Sequence, residues 1–181
     1  MDISQQSKIY KNKDKDHVLK MIRTFHEGIA SIMEHYGLKH IQIQGLGIFG
    51  IVSSQLKNDE NDQRIFDCAK EIKGYLFYVW KMGDYKISVA TESESILVPS
   101  HERTRESMFA GSAIQEAKKL INETNVQNVI LFNNCFVHNN NQVLFNKTQN
   151  KTYISGRDNG VAYSAWKFTD WSNVKYTKQI I

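Results

Sequence analysis

A chain of 181 residues with 41% apolar and 23% charged side chains is long and apolar enough to bury a real core, which excludes a wholly disordered protein. Its net charge of +4 and pI near 8.9 are mildly basic, so an anionic partner is allowed without being demanded. Two cysteines, Cys68 and Cys135, stand in no Cys-x-x-Cys or Cys/His grouping, which excludes that kind of zinc site and a disulfide framework.

Both thiols are therefore expected to be reduced, in an intracellular protein of the cytoplasm or nucleus. The N-terminal residues have no apolar run, and no stretch approaches the length of a membrane-spanning helix. Residues 1–15 read as a flexible basic and polar arm, because Lys8, Lys11, Lys13 and Lys15 accompany little that could be buried.

A first helix follows, with Asp14 or Asp16 as its N-cap. Val18, Ile22, Phe25, Ile29, Ile32, Met33 and Tyr36 recur at helical spacing on one face, and Gly37 is the expected stop. His40 to Val52 then alternates by twos, placing Ile41, Ile43, Phe49 and Ile51 on one face to pack against the helix. Gly45 and Gly47 lie between them and predict a bend; they do not make a phosphate loop, since the third glycine and the following helix are missing.

The run from Ile29 to Tyr36 and then Ile41-Gln-Ile-Gln-Gly45-Leu-Gly47-Ile-Phe49-Gly-Ile51 resembles the second helix and first strand of the HU and integration-host-factor family of DNA-bending proteins. Lys86 to Ala90, followed by Phe109 to Ala117, is similar to that family's last strand and C-terminal helix. The resemblance covers roughly 16–122 and implies an architectural DNA-binding role. The sequence departs from the family in its polar N-terminus, in lacking the Arg-Asn-Pro arm tip, and in the residues that follow position 122.

Residues 53–63 read as a polar linker or hairpin tip. Arg64 to Ala90 is expected to form two or three strands, because Ile72, Tyr75, Phe77, Tyr78, Val79 and Trp80 supply β-favouring bulk, with a turn at Met82-Gly83-Asp84. Lysines interleaved with aromatics on a sheet face can hold phosphate and stack on bases. Lys57, Arg64, Lys70, Lys73, Lys81 and Lys86 are accordingly the candidate nucleic-acid-binding residues.

An enzymatic alternative uses the same segment. Glu71-Ile-Lys73, with Asp59, Asp62 or Asp67 upstream, has the residue types with which a magnesium-dependent nuclease holds its metal and steadies the attacking water. The histidines are scattered, Cys135 and His138 read as a structural thiol and a surface imidazole, and His26 and His35 as polar residues flanking the first helix's apolar stripe.

A second long helix is expected over Thr104 to Ile121, with Gly111 in its interior for close packing and Asn122 as its cap. Val126 to Val137 reads as a strand pair or a bent strand, Asn139 to Asn141 as a turn, and Val143 to Phe145 and Thr152 to Ser155 as strands. Asn159-Gly160 makes a tight hairpin turn into a strand over Val161 to Phe168.

These elements define an α+β protein with two main helices packed on an antiparallel β-sheet and a β-rich C-terminal extension. A core over 16–122 is expected, with the extension over 123–181 sharing it. The function expected is that of a non-enzymatic, DNA-binding architectural protein. A structural or interaction subunit without nucleic-acid contact is the alternative, and the nuclease stands behind both. Duplex DNA, a second copy of the chain or a protein complex are the expected partners. No catalytic residue, metal ligand, cofactor or membrane contact is assigned.

Overall fold

In the computed structural model, residues 14–44, 47–52, 58–91, 95–98, 108–140 and 151–168 are described. Helix α1 spans Lys15–His35 and buries Val18, Phe25, His26, Ile29, Ile32 and Met33. The expected apolar stripe is thus the inward face, but His26 belongs to it, with its ring tilted against Phe25. Asp14 occupies the N-cap position without a side-chain bond. Gly37 ends the helix at φ +74. Its N–H donates to the Glu34 carbonyl at 2.8 Å and that of Leu38 to the Met33 carbonyl at 2.9 Å, the paired bonds of a Schellman ending.

Strands β1 (Lys39–Gln44) and β2 (Gly47–Ile51) pair antiparallel, with Gln44 opposite Gly47, so the expected bend is a full reversal. Residues opposite each other in such a pair share a face. Ile43 lies opposite Ile48 and Gln42 opposite Phe49. The reversal therefore separates Ile41 from Phe49, which a single strand would have kept together: Ile41 and Ile48 pack on the α1 core, while Phe49 goes to the other face. Ile43 remains 51% exposed. Gly50 passes so close to Leu38 and Met33 that a Cβ there would sit 3.1 Å from each side chain.

The largest difference from expectation is α2 (Asn58–Tyr78), a helix of 21 residues where a polar linker up to residue 63 and strands from Arg64 were predicted. It buries two stripes. Cys68, Ile72, Tyr75 and Leu76 join the α1 residues in one core, while Phe66 and Ala69 join Val89, Ile130, Phe132 and Phe136 in another. A helix apolar on two sides shows no single amphipathic stripe, so its aromatic run read as β-type. The two long helices meet where Tyr75 lies over Gly28; a Cβ on Gly28 would come within 2.1 Å of the tyrosine oxygen.

Beyond the bend at Gly83 and Asp84, β3 (Lys86–Val89) forms as expected. Strand β4 (Ser95–Val98) pairs antiparallel with β5 (Met108–Gly111), and α3 (Ser112–Glu123) begins immediately afterwards. Phe109 to Gly111 thus belong to a strand, and Gly111 sits at the helix boundary with an extended φ rather than inside a helix. The helix runs past Asn122 to a C-cap at Thr124, whose buried hydroxyl donates to the Leu120 carbonyl.

Strand β6 (Val129–Phe132) is buried along its whole length. Ile130 and Phe132 face α2, whereas Val129 and Leu131 meet Leu120 of α3, so both faces of the strand are covered. It pairs parallel with β3 and antiparallel with β8 (Val161–Phe168), which pairs with β7 (Lys151–Asp158), giving the sheet order β3-β6-β8-β7. The last two strands are therefore built into the main sheet. Asn159 and Gly160 turn between them at φ +46 and +79, as the Asn-Gly pair predicts.

The second half of the expected strand pair at 126–137 is instead α4 (Asn134–Asn140). Asn133 caps it by accepting from the Phe136 N–H at 3.0 Å. The same side chain donates to the Thr91 carbonyl at 3.1 Å, tying the start of α4 to the chain leaving β3. The expected turn at Asn139 and Asn140 falls in this helix, while the expected strand at Val143 to Phe145 lies outside the described residues. The fold is α+β, but its main sheet is mixed rather than purely antiparallel. Among the described residues, no helix is long and apolar enough to cross a membrane.

Candidate functional site

Phe49 and Lys118 meet at a seam between the first hairpin and α3. The antiparallel register of β1 and β2 places Phe49 on the hairpin face opposite Ile41 and Ile48, where it is half-buried. Helix α3 buries Leu120 against the sheet and leaves Gln115, Glu116, Lys118 and Lys119 exposed. Lys118 Nζ lies 5.6 Å from the centre of the Phe49 ring. Lys118 thus caps the ring in a cation–π contact, and its exposed ammonium is free to reach an anionic group such as a phosphate. Sequence reading had assigned Phe49 to the core and had given Lys118 no role; the reversal between β1 and β2 was the missing signal.

The candidate basic residues have separate structural placements. Arg64 Nη2 donates to the Tyr36 carbonyl at 2.7 Å, across the end of α1. Lys70 pairs with Asp67, and its Nζ lies 5.0 Å from the Phe66 ring centre. Lys73 is 1% exposed and donates to the Asn128 carbonyl at 2.6 Å. Lys86 holds the end of α3 through the Ile121 carbonyl at 2.7 Å and the Thr124 carbonyl. Lys81 is exposed just beyond α2, at φ +52, and Lys57 lies outside the described residues.

Helicity also separates Glu71 from Lys73, since two residues on a helix are about 200° apart. Glu71 accepts from the Tyr36 hydroxyl at 2.8 Å while Lys73 reaches the opposite way to Asn128. Asp62 is buried, and the side chain of Asp59 is outside the described set. Among the described residues, no three His, Cys, Asp or Glu side chains gather as a metal site.

Neither cysteine is in a disulfide; Cys68 is buried and Cys135 exposed. Burial, aided by the charge of Glu71, pushes the Cys68 thiol from its ordinary 9.0 up to about 12. Burial and the Glu71 bond likewise raise the Tyr36 hydroxyl. For such acids the unfolded chain ionises first, so stability is intact below pH 9 and is lost as pH rises toward 12. The Cys68 contribution to that loss approaches about 1.4 kcal/mol per pH unit within the window. Urea midpoints measured on either side of pH 9 are expected to fall less steeply in Cys68→Ala than in the parent chain.

Among solved structures, the crystal structure of the guanylyl cyclase Cya2 is similar to this chain with a TM-score of 0.64 and 13% identity, covering 93% of this chain and 89% of that one. At that identity the likeness shows the fold. No protein-family model matches the chain, and no curated protein matches it. The likeness overturns the expected DNA-binding architectural function: the arrangement of helices and strands is that of the Cya2 structure. The physical source of the error is α2, because Arg64, Lys70, Lys73, Tyr75, Phe77 and Tyr78, read as part of a nucleic-acid-binding sheet face, belong to a helix inserted between two cores.

Proposed function

We propose that the chain is a nucleotide-binding domain of the cyclase fold, with a purine nucleoside phosphate as its ligand at the Phe49–Lys118 seam. The carrying observation is the likeness to a guanylyl cyclase along 93% of the chain. The seam holds an exposed ammonium for phosphate, and on binding Lys118 swings from the Phe49 ring to the phosphate and leaves the ring face to the base. An intracellular setting with reduced thiols accords with that ligand.

Calorimetric titration of GTP, ATP and their diphosphates, with and without magnesium, tests this reading. Saturable binding is expected, weakened about tenfold or more by Phe49→Ala and by Lys118→Glu. Absence of binding by every purine nucleotide at millimolar concentration would overturn it, and unchanged affinity in both variants would remove the seam as the site. A parallel assay for cyclic nucleotide product establishes whether binding leads to turnover.

A further inference from the structure

Helix α2 runs antiparallel to β6: Lys73 reaches the Asn128 carbonyl just before the strand, and Phe66 stacks on Phe132 at its end. One helical turn before Ile65 and Phe66 stand Asn61 and Asp62, each only 6% exposed. They lie about 6 Å beyond the level of Phe66 along the helix axis. Val89 packs in the same cluster as Phe66, and Thr91 follows it by two residues, about 6–7 Å of extended chain. The start of α2 is therefore level with the chain leaving β3 and β6. There the Asn133 amide accepts from the Thr91 N–H at 3.3 Å and donates to the Thr91 carbonyl at 3.1 Å. Asn61 Oδ1 and Thr91 Oγ1 are both buried without a hydrogen-bond partner.

An oxygen withheld from water and left unbonded costs stability, and a buried carboxylate needs compensating charge. A hard cation serves both needs, since carboxylate, amide and hydroxyl oxygens are its natural ligands. The charge of the ligand set selects the ion. A single carboxylate balances one positive charge, whereas a divalent ion would leave a net charge in the interior. Neutral oxygens complete the shell of an alkali cation by replacing its water. We propose that Asn61 Oδ1, the Asp62 carboxylate and Thr91 Oγ1 hold one alkali-metal cation, which ties the start of α2 to the ends of β3 and β6.

Urea unfolding in sodium chloride, potassium chloride and choline chloride at equal ionic strength, with no nucleotide present, tests the proposal independently of the seam. The unfolding equilibrium constant of the parent chain is expected to fall about tenfold or more between choline and one of the alkali salts, with saturation as that salt is raised. Thr91→Val keeps the side-chain shape and removes only Oγ1. It should match or exceed the parent in choline chloride, because an unbonded buried oxygen is gone, and should gain nothing further from the alkali salt. Asn61→Leu, near in volume, should likewise lose the alkali increment.

The two alkali salts distinguish sodium from potassium as the ion held. The proposal is overturned by parent midpoints that are equal in the three salts, or by an alkali increment that survives in either variant. It is also overturned by an increment that magnesium or calcium gives and neither alkali cation does.

Discussion

Replacing Phe132 with alanine is expected to destabilise the fold by about 3–5 kcal/mol, a large part of the stability of an ordinary domain. The residue is fully buried in β6, and its ring stacks at 5.8 Å on Phe66 from α2 and at 5.1 Å on Phe136 from α4. Truncation opens a cavity between rings that belong to three different elements and cannot readily collapse to fill it. Urea unfolding measures the loss, and Phe132→Leu, which keeps most of the apolar volume, is expected to cost less than half as much. Equal losses in the two variants would show that ring volume is not what holds these elements together.

Lys73 gives the second large effect, for a different reason. Its stem is buried, its Nζ lies 5.8 Å from the Tyr85 ring centre, and its ammonium donates to the carbonyl of Asn128. Asn128 enters β6 in the left-handed region at φ +57, while its N–H donates to the Tyr85 carbonyl at 2.9 Å. Lys73→Ala removes the apolar stem and takes away the ammonium that this carbonyl accepts from, so a loss of about 3 kcal/mol is expected. Lys73→Met retains most of the volume and also removes the desolvation cost of the charge, so its loss is expected near 1 kcal/mol. The difference between the two unfolding free energies is the informative quantity. If methionine cost as much as alanine, the ammonium bond rather than stem packing would be the main contribution.

The legible parts of the sequence were those in which one local rule governed the outcome. In α1, one buried stripe and a glycine at the stop sufficed. Asn159-Gly160 fixed a hairpin because few other residue pairs turn so tightly. The α+β class was readable, but α2 was not: tertiary burial on two sides erased the amphipathic signal that would have marked it.

Lys73 and Lys86 read as surface charge because sequence carries no trace of the distant carbonyls that receive them. At the candidate site, Phe49 was visible as an aromatic on an alternating strand. Its direction depended on a reversal that joins Gln44 to Gly47, and Lys118 became its neighbour only through the tertiary fold.

The position of α2 has a mechanical consequence. Cys68 and Ile72 bear on the core shared with α1 and the first hairpin, while Phe66 and Ala69 bear on the main sheet. Any rotation of α2 that relieves crowding on one side drives side chains into the other, because both interiors are closely packed. The helix acts as a common wall, so strain introduced beside the hairpin is felt at β6 through packing on its two faces.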